Sequence, residues 1–217
     1  MATSIISRRR VLAGLGGGAL LLSAPGAFAE RLLTPAQTVG PFYPDLLPLD
    51  RDNDLVQVDD GLTPASGTVV HLHGRIRDAR GRPLENALVE IWQVDAHGVY
   101  LHSRGGDRER RDPNFQGYGR FLTAADGRYR FRTIRPVPYP GRTPHIHFAV
   151  TLPGQARFAT QCYIRGERLN ARDGILNAIA DPKLRDLLIV PFVPVAGSVA
   201  REQVARFDIV LGLTPAS

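Results

Sequence analysis

The chain has 217 residues, enough for one domain with additions, and its 43% hydrophobic and 22% charged content is ordinary for a globular protein. One cysteine, Cys162, excludes an intramolecular disulfide, so packing has to carry the stability. The net charge of +6 comes from arginines interleaved with acids, Lys183 being the only lysine, and past the N-terminus no basic run reaches five; this reads as arginine-rich composition and excludes a nucleic-acid-binding run.

Ser7-Arg8-Arg9-Arg10-Val11-Leu12 precedes a Gly/Ala/Leu stretch from Ala13 to Leu22, and Ala27-Phe28-Ala29 offers a small-residue exit. Basic head, modest apolar segment and A-x-A exit describe a signal peptide. The paired arginines and the weak, glycine-rich apolar stretch point to the twin-arginine export machinery of a bacterial cell. Gly14, Gly16, Gly17, Gly18 and Pro25 make a poor membrane span, which needs about 20 strongly apolar residues. Residues 1–29 are therefore expected to be a cleaved twin-arginine signal, and the mature protein to be periplasmic or secreted. That route carries folded proteins, often with a cofactor already loaded.

Residues 30–66, rich in Pro, Asp and Leu and without sustained periodicity, read as an extended N-terminal arm. From Thr68 the pattern changes. Strands are predicted over Val69–Ile76, Ala87–Val94 and Tyr118–Thr123 from alternation and the turn clusters between them. Asp126-Gly127 reads as a hairpin turn, followed by the alternating Arg128–Ile134. Pro136–Gly141 is a rigid loop, and His145–Leu152 and Arg157–Ile164 are further strands. Cys162 lies in the last of these and reads as a buried structural thiol. Residues 171–188 carry a helical stretch interrupted at Pro182, and Gln203–Leu211 closes the chain as one strand. Short strands with frequent turns predict an all-β fold, an antiparallel β-sandwich spanning 67–217, with one or two short helices near the C-terminus.

Two features carry chemistry. In His145-Ile146-His147, residues two apart on a strand point to one face, so both imidazoles reach toward a common point. Spacing alone is weak, because His71-Leu72-His73 has it too; His71 and His73 are read as structural or surface residues. Tyr100 and Tyr139 lie in loops after strands, and Tyr139 sits between Pro138 and Pro140, which aim its ring. A rim aromatic is the plain reading; a phenolate ligand is the sharper one. Two phenolates with two imidazoles suit a hard trivalent ion such as Fe(III) better than Zn or Cu(I).

Several ordered blocks make the sequence recognisable. Leu88-Val89-Glu90-Ile91-Trp92-Gln93 with Gly98-Val99-Tyr100, Asp112-Pro113-Asn114-Phe115, Tyr129–Pro136, Pro138-Tyr139-Pro140 and Arg142-Thr143-Pro144-His145-Ile146-His147 together resemble the intradiol ring-cleavage dioxygenases, most closely the protocatechuate 3,4-dioxygenase β-subunit branch. The resemblance covers most of residues 34–212. It implies a non-haem Fe(III) cofactor held by Tyr100, Tyr139, His145 and His147. It further implies that Tyr139 leaves the iron when a catechol chelates, and that Arg142 stabilises charge on the activated substrate. Gln161 resembles a pocket residue near the reacting ring. Thr34–Phe42 resembles an arm that helps form the substrate pocket, in cis or across the interface of a homo-oligomer, with Tyr43 a substrate-binding position. The reaction implied is opening of a catechol between its two hydroxylated carbons with O2. The loop from Tyr139 to His145 is shorter than in the protocatechuate branch, which predicts a more open pocket. The helical N-terminal domain of the catechol 1,2-dioxygenase branch has no room between Ala29 and Thr68.

Three other readings remain open on the residues alone: a non-catalytic β-sandwich binding module, a metal-free structural subunit, and a zinc hydrolase using His145 and His147.

Overall fold

The computed structural model describes residues 31–59 and 61–212; the expected signal peptide lies outside them. Ten strands follow in order: β1 (Val69–Asp78), β2 (Leu88–Trp92), β3 (Tyr118–Leu122), β4 (Arg128–Ile134), β5 (His145–Thr151), β6 (Phe158–Ile164), β7 (Ile189–Val190), β8 (Phe192–Pro194), β9 (Gln203–Arg206) and β10 (Ile209–Leu211). They form two sheets. In the first, β4 pairs with one edge of β1, β9 and then β10 line its other edge, and β8 pairs with β9. The second runs β3-β2-β5-β6-β7. Pairing is antiparallel except at β1–β9, β1–β10 and β6–β7. The β-sandwich expected from the strand pattern is present, with these parallel additions.

Period-two alternation builds the core. Val70, Leu72 and Ile76 of β1 and Tyr129 and Phe131 of β4 face Val89 and Ile91 of β2, Ile146, Phe148 and Val150 of β5, and Cys162 and Ile164 of β6, all buried in one apolar cluster. Fully burying side chains of this size stabilises by about 1.5–3 kcal/mol each. Cys162 is fully buried, and burial pushes its thiol pKa up, which makes it inert as a nucleophile.

The structure departs from the sequence reading in three places. Asp126-Gly127 does form a tight turn, with Gly127 at φ +68°, but it joins β3 of one sheet to β4 of the other, so it is a crossing and not a hairpin. The turn is pinned to β1 by Ile76 N–H donating to the Gly127 carbonyl at 2.8 Å. The closing strand is split, because the chain bulges at Phe207-Asp208: the Asp208 carboxylate takes the Arg75 N–H at 3.0 Å, the Phe207 N–H donates to the His73 carbonyl, and the Tyr129 hydroxyl donates to the Phe207 carbonyl. A Cβ at position 74 would collide with the Phe207 carbonyl, so glycine is required there. The helical stretch resolves into a 3-10 turn (Arg168–Arg172) and two short helices, α1 (Gly174–Asn177) and α2 (Pro182–Asp186). Pro182 starts the second, as its missing N–H allows, and Asp181 caps it.

The arm lies on the chain's own sandwich. Arg31 N–H donates to the Ala79 carbonyl, Thr34 exchanges two hydrogen bonds with Val210, and Gln37 N–H donates to the Ala159 carbonyl at 2.8 Å. Residues 34–43 thereby cross the outer face of the second sheet.

Candidate metal centre

Strand alternation presents Glu90 and Trp92 of β2, His145 and His147 of β5, and Gln161 and Tyr163 of β6 on the outer face of the second sheet. Register sets His147 between Trp92 and Gln161, and His145 beside Tyr163. This face is nevertheless buried, His145 and His147 each to 2% exposure, because the arm and the loops carrying Tyr100 and Tyr139 cover it.

Each donor is aimed by its own local structure. Before Tyr100, the buried Asp95 carboxylate accepts from His97 N–H and Val99 N–H, closing a turn in which Gly98 has φ +79°. Tyr139-Pro140-Gly141-Arg142 is a type II turn: Arg142 N–H donates to the Tyr139 carbonyl at 2.9 Å, Pro140 occupies its second place, and Gly141 the third, at φ +80°. The turn returns Arg142 beside Tyr139. His145 Nδ1 lies 2.7 Å from the Thr143 carbonyl; a carbonyl only accepts, so Nδ1 carries the proton and Nε2 presents its lone pair. The His147 ring stacks on Trp92, centroids 4.9 Å apart and 9° from parallel.

The four donors converge. Tyr100 Oη is 3.0 Å from His147 Nε2, 3.5 Å from His145 Nε2 and 3.5 Å from Tyr139 Oη, and the two Nε2 atoms are 3.1 Å apart. Nitrogen and oxygen donors bound at about 2.0–2.2 Å to one ion stand about 2.8–3.6 Å from each other at tetrahedral or right angles. The donor set fits a single transition-metal ion. Electrostatics agree. Burial first, then Arg142, lowers His145 to about 4, and burial with the neighbouring His145 holds His147 well below the ordinary histidine value, so both imidazoles are neutral ligands. Burial and the adjacent Tyr139 push the Tyr100 phenol well above 10, so only a cation at this point would draw off its proton. Tyr100 is 2% exposed, whereas Tyr139 is half-buried. Among the described residues no three His, Cys, Asp or Glu side chains converge; the cluster mixes two histidines with two tyrosines. His71 and His73 lie on the outer face of the first sheet, at the surface.

Arg142 is half-buried against four partners. Nε donates to Asp173 at 2.8 Å, one terminal nitrogen to the Tyr139 hydroxyl at 3.3 Å, and the other to Gln161 Oε1 at 2.6 Å and to the Tyr163 hydroxyl. Gln161, fully buried, also donates from Nε2 to the Thr38 carbonyl at 3.1 Å, so it ties Arg142 to the arm. Tyr43 is set back from the donors: its hydroxyl donates to Glu90 at 2.8 Å, its ring meets Trp92 and Tyr118 edge-on, and the Arg157 guanidinium covers it. Its neighbour Phe42 stacks on Tyr100, centroids 5.0 Å apart, and faces Tyr139.

Sequence reasoning missed the residues that hold this set in place. Asp173 accepts from Arg142 and Thr143 N–H through one oxygen and from Ile175 and Leu176 N–H at the start of α1 through the other. Its signal was an N-cap position before a helical stretch. Gly40, at φ +76°, would place a Cβ 3.2 Å from His147 Cε1, so the arm passes directly over the imidazole. No sequence signal reveals that contact.

The fold is a two-sheet sandwich bearing two imidazoles and two phenols on one covered face. A family model described as Dioxygenase matches residues 38–212, and the chain belongs to the intradiol ring-cleavage dioxygenase family. It is 40% identical over 177 residues to the protocatechuate 3,4-dioxygenase beta chain of Burkholderia cepacia, covering 77% of this chain and 73% of that one. It is 30% identical to catechol 1,2-dioxygenase 2 of Acinetobacter lwoffii, covering 70% of this chain but only 61% of that longer relative. Among solved structures, the dioxygenase domain of a dioxygenase carbohydrate-binding protein fusion from Streptomyces sp. SirexAA-E superposes with a TM-score of 0.63 at 29% identity, covering 84% of this chain and 99% of that one.

Proposed function

We propose that the protein cleaves a catechol-type ring between its two hydroxylated carbons, using O2 and a non-haem Fe(III) ion held by Tyr100, Tyr139, His145 and His147. The observation that carries this reading is the convergence of those four donor atoms to 3.0–3.5 Å separations on a covered sheet face. A ferric ion there would supply Lewis acidity toward the two catechol oxygens and make the electron-rich ring reactive toward O2. Both oxygen atoms enter the product, one ring carbon–carbon bond breaks, and a cis,cis-muconate-type diacid results, so no external reductant is consumed.

The chain's own groups divide the remaining work. Tyr100, sealed under Phe42, stays in place. Tyr139 is half-buried and bonded to Arg142; as a phenolate released from the ion, it would take a proton from an incoming catechol hydroxyl as general base. Arg142, held by Asp173 and Gln161, sets a fixed positive charge where negative charge develops on the ring. The arm excludes water over His147. Residues 1–29 would export the folded, metal-loaded protein by the twin-arginine route, as their pattern suggests.

The test is an O2-uptake screen of the as-isolated protein with catechol, protocatechuate, hydroxyquinol and bulkier lignin-type catechols, together with metal analysis and a visible spectrum. The expected outcome is a coloured, iron-bearing protein that consumes O2 with at least one of these substrates. A colourless, iron-free protein inert toward all of them would return the β-sandwich binding-module reading.

A further inference from the structure

The outer face of the first sheet carries a feature that the donor cluster does not use. Residues two apart on three adjacent strands project there together: His71, His73 and Arg75 from β1, Arg128, Arg130 and Arg132 from β4, and Arg206 from β9. Register sets them directly opposite one another, His71 against Arg132, His73 against both Arg130 and Arg206, and Arg75 against Arg128. Like charges directly opposite across strands destabilise a sheet. Acids relieve part of this: Asp54 pairs with Arg132 at 2.9 Å, Asp126 with Arg128 at 3.2 Å and Asp208 with Arg206 at 2.6 Å. Arg75 and Arg130 have no acidic partner among the described residues. Both line an open groove of about 650 Å³ with His73, Arg128, Arg206 and the acidic Asp126, and with Phe121 and Leu122. Burial first, then Arg206 against the opposing pull of Asp208, lowers the His73 pKa.

We propose that this groove is a binding site for a linear polymer bearing carboxylates, a polyuronate-type polysaccharide, which supplies the anions that Arg75 and Arg130 lack. Guanidinium groups take carboxylates in a fork geometry. Register sets Arg75 of β1 diagonal to Arg130 of β4, about 7–8 Å apart, so the two unpaired guanidiniums offer separated cations to an extended chain with repeated charges and not a single closed cradle to a small anion. The half-buried Phe121 and exposed Leu122 suit the apolar face of a sugar ring. Among the described residues no exposed aromatic ring stands on the face to stack nucleobases, which disfavours single-stranded nucleic acid. The groove lies across the sandwich from the donor cluster, so it would hold the protein on a polymer without taking part in ring cleavage.

The test is binding of the full chain to polygalacturonate at about 50 mM salt, with neutral dextran and duplex DNA as comparison polymers. Wild-type protein is expected to bind polygalacturonate but not dextran, and to lose at least about tenfold in affinity when salt rises to about 300 mM. The double variant Arg75→Glu/Arg130→Glu is expected to lose at least about tenfold at low salt, with unchanged O2 uptake and a Tm equal to or above wild type, because like-charge crowding is relieved. A lower Tm would mark the two arginines as structural and overturn the proposal. So would failure to bind polygalacturonate, binding that survives both substitutions, or tighter binding to DNA. Should the double variant misfold, Arg75→Gln and Arg130→Gln singly provide the same reading with no new charge.

Discussion

On the outer face of β2, β5 and β6, His145 and His147 are 2% exposed and Trp92 and Gln161 are fully buried; on the outer face of β4, β1 and β9, His71, His73, Arg128 and Arg130 stand in solvent. Both faces are written in the same alternation, and each presents a His-x-His pair. What separates them is cover. The arm and the two tyrosine loops lie over one face and remove water from it, which leaves its imidazoles neutral and the Tyr100 phenol protonated until a cation arrives. Nothing of the described chain lies over the arginine-rich face. A histidine pair thus becomes a candidate ligand pair through what is laid across it, not through its spacing.

The largest break in this comparison comes from the covered face. His147→Ala removes one converging donor and the ring stacked on Trp92. It should eliminate tight iron binding and lower O2 uptake about a thousandfold or more, equivalent to about 4 kcal/mol of lost stabilisation. The matching change on the open face, His73→Ala, should leave iron content and turnover within about twofold of wild type. Iron analysis and O2 uptake of the pair check both.

Asp173→Ala tests the support behind Arg142. It leaves a half-buried guanidinium without its carboxylate and uncaps α1, and should cost about 2–4 kcal/mol of stability in chemical denaturation. Asp173→Asn keeps one acceptor oxygen, enough for the Ile175 and Leu176 amides, sets its NH2 against Thr143 N–H and Arg142 Nε, and removes the titrating charge, so it isolates the pH effect. Burial works against the Asp173 carboxylate, yet the Leu176 amide, Arg142 and the Thr143 amide together hold its pKa below 3.8. A depressed folded-state pKa gives stability that is whole above 3.8 and is lost as pH falls through and below that value. Wild type should therefore lose stability more steeply below about pH 4 than Asp173→Asn, as read from denaturation midpoints across pH.

Gly40→Ala tests the cover itself. A side chain at φ +76° is strained, and its Cβ would press on His147. A cost of about 1–2 kcal/mol is expected, with loss of turnover exceeding what that destabilisation explains, because the arm lifts from the imidazole. The smallest effect belongs to the open face: Arg130→Gln should shift stability by no more than about 0.5 kcal/mol.

Much of this architecture was legible in the sequence. The strands from β1 to β6 announced themselves through alternation and turn residues, and the four donors through family-type blocks around Tyr100, Tyr139, His145 and His147. Less was legible where partners are distant. Asp126-Gly127 is a good turn in either setting, so nothing local tells a hairpin from a crossing between sheets. The two-residue β7 and three-residue β8 are too short to show a period. Counting basic runs missed the open face, because alternation scatters along the chain the arginines that a strand gathers on one side. Tyr43 and Phe42 are adjacent and equally aromatic, and only packing decides that the second meets Tyr100 while the first turns its hydroxyl to Glu90.

By itself, the sequence determined which residue types could bind a ferric ion and on which strands they fall, since side-chain direction along a strand is a local property. The tertiary structure decided that the phenols at 100 and 139 meet the imidazoles at 145 and 147, that Asp173 and the arm hold them there, and which of two similar faces is dry. Those are contacts between residues up to more than a hundred positions apart, such as Gln161 with Thr38, and only folding brings such groups within a hydrogen bond of one another.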